Sequence, residues 1–192
     1  MADLGGMAGI HRYRVFETAH GFAAIAWRDG AVTAFRLPGE TAHEIERSLL
    51  RRLPDALPGD PPAEIAAVIA DATRYFAGEV VDFANVPVDL GEQEPFFARV
   101  YDAVRRLGRG ETTTYGAVAK SLDAGPEMAR DVGQAMARNP VPLIVPCHRV
   151  LAAGGKVGGF SAPGGSLSKA RMLEMEGVAT EPPPAAQVAF DF

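Results

Sequence analysis

Hydrophobic positions crowd into two short runs near the start of the chain, Gly21 to Trp27 and Ala31 to Leu37, joined by Asp29-Gly30. Runs of that length suit strands, and Asp-Gly supplies the positive φ of a tight turn, so a β-hairpin is expected at about 21–37. The period then changes. Ile45, Leu49, Leu50 and Leu53 share one helical face, and Thr41 with Glu44 has capping-box spacing. A second helix is expected between Pro61-Pro62 and Gly78, with proline at its entrance and glycine at its exit, followed by an extended stretch from Val80 to Leu90.

Beyond residue 92 the helical period dominates. Phe96, Phe97, Val100, Tyr101, Val104 and Leu107 fall on one face of a helix stopped at Gly108. Two short helical patterns, about 114–121 and 126–137, are separated by Asp123-Ala124-Gly125, the spacing of a helix-turn-helix. Such pairs are common in ordinary helical domains, so the pattern alone leaves DNA binding open. A Gly-rich loop follows Val150, a last helix ends at Gly177, and 179–192 reads as a flexible tail. The expected fold is an α/β N-terminal domain over 1–92, a small sheet with a β-hairpin plus helices. A mainly α-helical C-terminal domain containing the helix-turn-helix follows over 93–178.

Composition adds limits. With 47% hydrophobic and 22% charged residues the chain is ordinary globular material. No run approaches the roughly 20 apolar residues of a membrane span, the N-terminus has no secretory pattern, and one cysteine cannot form an internal disulfide. A cytoplasmic protein with no membrane partner is expected. The net charge of −5 hides an asymmetry: residues 1–94 carry 8 Lys+Arg against 15 Asp+Glu, whereas 95–180 carry 11 against 7. The second portion is net positive, which leaves a nucleic-acid partner open for it.

That portion holds the single thiol, in Asn-Pro-Val-Pro-Leu-Ile-Val-Pro-Cys-His-Arg-Val from Asn139 to Val150. Pro140, Pro142 and Pro146 fix φ at three points and remove three backbone donors, so the segment is neither a regular helix nor a freely pairing strand. A lone cysteine is most often a small buried hydrophobe. Held rigidly beside His148 and Arg149, Cys147 becomes a candidate nucleophile. Adjacent side chains point in different directions, so His148 would act through a water or a relay, with its orienting carboxylate supplied from elsewhere. One cysteine and four histidines show no ligand-like spacing, and no metal site is expected. The Gly-rich loop matches neither a P-loop nor a dinucleotide fingerprint.

The ordered set Thr112 to Leu122, Ala129-Arg130, Val132 to Ala135, Asn139 to Val150, Gly158-Gly159-Phe160, Lys169 and Glu176-Gly177 resembles the methylated-DNA–protein-cysteine methyltransferases, or O6-alkylguanine-DNA alkyltransferases. The resemblance covers about 95–178, and the first half is similar mainly in its layout. It implies that Cys147 takes an alkyl group, such as methyl, from O6 of guanine in double-stranded DNA by in-line displacement. The thioether product is stable, so each molecule reacts once, as a monomer and without a cofactor. The resemblance further implies a relay through His148, a water and Glu176, with Asn139 bracing the turn. It assigns the second helix of the pair to the minor groove, Arg130 to the space left by a flipped nucleotide, and Tyr115 to the flipped base and its phosphate. Met136 and Val150 would lie in the substrate pocket, and the Ser161 backbone would donate to the guanine oxygen. Small residues such as Ala129 and Gly133 suit a helix pressed into a groove about 6 Å wide.

Departures from the family pattern bear on these expectations. Phe160 stands where many relatives have tyrosine, and keeps the apolar wall without the hydroxyl. The loop Ser161 to Lys169 is longer than in some relatives, which leaves the pocket's size open. Asp131 beside Arg130 is repelled by phosphates unless it turns away or pairs with an arginine. The zinc site of some relatives' first domain is excluded by the missing cysteines. Two other readings stay open: a non-catalytic DNA-recognition protein, against which Cys147 counts, and a Cys-His hydrolase or acyltransferase, which would need an oxyanion hole and gives the helix-turn-helix no role.

Overall fold

The computed structural model describes residues 9–181, and most of the expected tail, 182–192, lies outside the described residues. Strands β1 (Arg12–Thr18), β2 (Gly21–Arg28), β3 (Ala31–Gly39) and β4 (Leu57–Pro58) form one sheet in the order β3-β2-β1-β4. β1–β2 and β2–β3 pair antiparallel, and the short β4 adds to β1 in parallel. Asp29 and Gly30 have φ of 50° and 79°, the two positive values that a tight hairpin turn needs. The sequence pattern suggested β2 and β3 but not β1. Only Tyr13 and Thr18 of that strand are buried, so Arg12–Thr18 has no continuous apolar run to betray it.

β2 is buried from Ala23 to Trp27 because both faces of the sheet are covered. On one face, Ile45 and Leu49 of α1 (Ala42–Arg52) pack against Tyr13, Ala24, Ala26 and Ala34. Thr41 caps α1 by accepting the Glu44 N–H at 3.2 Å. On the other face, Ile25, Trp27 and Phe35 join α2 (Ala63–Phe76) and the rest of the chain in the larger apolar cluster. That cluster runs without a break from Phe35 and Tyr75 to Tyr101, Val141 and Met172.

The second half contains α3 (Pro95–Arg105), α4 (Tyr115–Ser121), α5 (Ala129–Ala137) and α6 (Gly165–Met175), with 3-10 turns at 126–128, 147–149 and 153–155. α4 and α5 meet through Val118, Ala119, Val132 and Ala135, the layout of a helix-turn-helix. A two-residue parallel pair, β5 (Thr113–Thr114) with β6 (Val150–Leu151), ties the start of α4 to the exit from Cys147. Two residues carry no period, so the pair left no mark in the sequence pattern. The extended stretch at 80–90 makes only an isolated bridge, Val32 to Val88. The outer edge of β3 is covered: Val32 N–H donates to Pro87 O, Asp89 N–H donates to Val32 O, and Phe35 N–H donates to Pro140 O, all at 2.9 Å. Among the described residues no helix is long and apolar enough to cross a membrane.

Candidate active site

The proline-rich turn is locked from within. Asn139 Nδ2 donates to Val145 O at 2.8 Å, and its Oδ1 accepts Val141 N–H at 3.0 Å, so one amide bridges both ends of the turn. At the corner Leu143 has φ of 78°, a left-handed conformation costing a non-glycine residue roughly 1–3 kcal/mol. Burial of its side chain in the apolar cluster offsets that cost. The turn delivers Cys147 to the first position of a 3-10 turn, 5% exposed. Burial pushes its thiol pKa up. The Asn139 hydrogen bond, the Lys169 charge and nearby backbone donors pull the other way without reversing the shift. The side chain therefore rests as a thiol and needs a base before it can act as a nucleophile.

Behind it lies a buried polar cluster. Glu176 Oε1 lies 2.7 Å from His148 Nε2 and accepts the Tyr75 hydroxyl at 2.8 Å and Arg149 Nη2 at 2.9 Å. Its Oε2 accepts Arg149 Nε at 2.9 Å and Gly110 N–H at 3.4 Å. Burial alone raises the carboxyl pKa, but hydrogen bonds and charge from His148 and Arg149 outweigh it and hold Glu176 well below the usual carboxylate range. Burial lowers the His148 pKa despite the pull of Glu176, so the imidazole is neutral. An ionised carboxylate can only accept, so Nε2 carries the proton and Nδ1 holds a free lone pair. Nδ1 is buried and without a hydrogen-bond partner among the described residues. Arg149, a candidate cation for the thiol, is committed to Glu176 and the Leu107 carbonyl instead.

A cavity of about 840 Å³ opens in front of Cys147. Tyr115, Ala129, Arg130, Gly133 and Met136 line one side, with Phe160, Ser161 and Lys169 on the other. Arg130 is exposed in the first turn of α5, and a Cβ built on Gly133 meets nothing within 4 Å, so this helix surface is open to a close neighbour. Asp131 lines no part of the cavity and makes no ion pair among the described residues. Ser161 Oγ donates to Ala137 O at 3.3 Å, joining the loop to the end of α5. Val150 departs from its expected place in the pocket. Its side chain is wholly buried in the apolar cluster because β6 pairing turns it inward, and its carbonyl accepts Lys169 Nζ at 2.6 Å. Among the described residues no group of three or more His, Cys, Asp or Glu could hold a metal ion.

The 6-O-methylguanine DNA methyltransferase, DNA binding domain, family model matches residues 95–178. A methylated-DNA–protein-cysteine methyltransferase of Mycolicibacterium paratuberculosis is 35% identical over 161 residues, 84% of this chain and 88% of the relative. The chain belongs to the methylated-DNA–protein-cysteine methyltransferase family. The crystal structure of Mycobacterium tuberculosis OGT in complex with DNA superposes with a TM-score of 0.69 at 33% identity, covering 86% of this chain and 92% of that one. A DNA base-flipping protein of Thermus thermophilus is 40% identical over 132 residues, 67% of this chain and 86% of its own length.

In this family member two residues at the site, Lys169 and Tyr75, escaped the sequence reading as functional groups, and a third, Arg149, takes a different role from the one expected. Lys169 is 1% exposed, its Nζ lies 5.6 Å from the Tyr115 ring centroid and 5.7 Å from that of Phe160, and burial lowers its pKa to about 8. Its signal was a charge on the face that α6 buries through Met172 and Leu173. Tyr75 gave none, because a tyrosine on the apolar face of α2 reads as core. Arg149 was visible as a cation beside the thiol, but its pairing with Glu176, 27 positions away, left no mark in the sequence.

Proposed function

We propose that this protein repairs DNA by transferring an alkyl group, methyl in the simplest case, from O6 of guanine to Cys147, irreversibly and once per molecule. The observation that carries the reading is the buried, unpartnered Nδ1 of His148, whose Nε2 is held by Glu176, on the residue next to a buried cysteine that lines the cavity. A water between Nδ1 and the thiol completes the relay: the imidazole accepts the proton, Sγ attacks the alkyl carbon, and the C–O6 bond breaks in line. The electron pair stays on the guanine, which takes up a proton. Substrate and cysteine supply every atom, so the step calls for no cofactor.

A 5% exposed thiol cannot meet a base stacked within a duplex, so double-stranded DNA must give up the nucleotide, at a cost of a few kcal/mol. Arg130 in the first turn of α5 takes the vacated place in the stack, while Ala129 and Gly133 let the helix approach the minor groove. Tyr115 and Met136 flank the base, Phe160 closes the apolar wall, and the Ser161 backbone donates to the guanine oxygen. Asn139 keeps the thiol in register. In this reading residues 93–178 bind DNA and carry out the transfer, residues 1–92 are the scaffold, and the protein acts as a monomer. A thiol that must stay reduced until use suits the cytoplasm.

The test is intact mass with peptide mapping after incubation with a duplex containing O6-methylguanine. One methyl on Cys147, at no more than one per protein, is expected. Arg130→Ala should slow this transfer far more than reaction with free O6-benzylguanine, which needs no flipping. Unmodified protein that still binds the duplex would leave recognition without chemistry.

A further inference from the structure

A hollow of about 380 Å³ shares no lining residue with the cavity in front of the thiol. The extended stretch after α2, the end of α3 with the loop that follows, and the outer side of the Cys147 turn build it. Val80, Phe83, Leu107, Leu143 and Pro146 give it an apolar wall, and Val80, 74% exposed, is the barest large apolar side chain among the described residues. Arg105, Arg106, Arg109 and Arg149 line the same hollow against one carboxylate, Asp82, whose Oδ1 accepts the Ala84 N–H at 2.9 Å. Arg149 is committed to Glu176, and the other three form no ion pair among the described residues. Arg105 donates to the carbonyls of Ala84 and Val86, and Arg109 to those of Glu79 and Met175, bonds that satisfy donors but cancel no charge. Arg105 Nε is buried with no partner among the described residues. An apolar wall beside uncompensated guanidinium groups fits an acidic segment that also carries aromatic side chains.

The chain itself carries such a segment, and it sets out from the rim of the hollow. Met175 ends α6, and its carbonyl accepts Arg109, one of the lining residues. After Gly177, Val178 and Thr180 are half-buried while Ala179 and Glu181 are exposed, the alternation of an extended chain lying along a surface. Residues 182–192 continue from there. Pro182, Pro183 and Pro184 make a stiff spacer of about 9 Å. Beyond it Val188, Phe190 and Phe192 fall on one side of an extended chain and Asp191 on the other. No Lys or Arg occurs from 181 to 192, so Glu181 and Asp191 leave the segment net negative. At about 3.3 Å per residue it reaches up to roughly 35 Å, ample to cross the hollow. We propose that residues 182–192 dock back into this hollow, with Phe190 and Phe192 on the apolar wall and Asp191 among Arg105, Arg106 and Arg109. The docked tail covers the outer side of the turn that positions Cys147, and its docking is independent of the chemistry of that thiol.

The experiment is paramagnetic broadening of amide signals in the whole 192-residue chain, with a nitroxide on Gln187→Cys in a Cys147→Ser background so that the label has one thiol to find. The amides of Val80, Leu107 and Leu143 should lose most of their intensity, while those of Ile45 and Leu49 in α1, on the other face of the sheet, keep theirs. Phe190→Ser with Phe192→Ser should abolish the effect and Asp191→Lys should weaken it severalfold, and both variants leave every residue of the described fold in place. Broadening at full strength in either variant overturns the docking. So does broadening spread evenly over the surface, as from a tail that sweeps freely, or none at all. A mixture of nitroxide-bearing protein with isotope-enriched protein lacking the label should show no broadening at the hollow. Broadening there in the mixture would make the occupant the tail of a second copy and overturn docking within one chain.

Discussion

Glu176 gathers donors from Tyr75, Gly110, His148 and Arg149 on two oxygens, which joins α2, the turn before β5, the Cys147 turn and the end of α6 at one carboxylate. Glu176→Gln leaves Arg149 buried without its counter-charge and should cost about 3–5 kcal/mol at pH 7. The sign of the pH dependence follows from the depressed pKa. The charged Glu176 contributes fully above its unfolded value, near 4.3, and that contribution is lost as pH falls toward the much lower folded value. Urea unfolding at pH 7 and at pH 3.5 should therefore show the gap between wild type and variant narrowing at the acid end. An equal gap at both would mean that shape, not charge, holds the cluster. A single carboxylate chosen from many is not legible in periodicity, and neither is Tyr75, which contacts it from 101 positions away.

Helix caps allow a controlled comparison between elements. Thr41 and Thr114 cap α1 and α4 by the same bond, accepting N–H groups at 3.2 and 3.1 Å. Either change to alanine should cost about 1 kcal/mol, or roughly 2–4 °C in Tm for a chain of this size. Only Thr114→Ala should also slow alkyl transfer, because α4 begins at Tyr115 and Thr114 lines the cavity. Equal transfer rates in the two variants would deny α4 a positioning role. The elements most legible in the sequence have local causes: Asp29-Gly30 makes the hairpin, Thr41 starts α1, and Gly78 and Gly177, at φ of 94° and 81°, follow the ends of α2 and α6. β1 and the β5–β6 pair depend on partners distant in the chain, which no local pattern encodes. Val150 faces the core for the same reason, since its orientation is set by Thr113.

Across the whole molecule, charge is divided as the chain is divided, with 15 acids against 8 bases up to residue 94 and 7 against 11 from 95 to 180. DNA affinity should fall roughly tenfold or more between 50 and 200 mM salt, because counterion release from only about two phosphate contacts gives that change. Fluorescence anisotropy with a labelled duplex measures it, and salt-independent binding would contradict a phosphate-gripping surface. The same halves are joined through the backbone where Phe35 of β3 donates to Pro140, at the start of the Cys147 turn. A protein consumed by the event it waits for is judged by its shelf life. With Pro87, Asp89 and Pro140 occupying the outer edge of β3, that side offers no ready template for a foreign strand, so unspent molecules can persist in a crowded cell without templating their own aggregation.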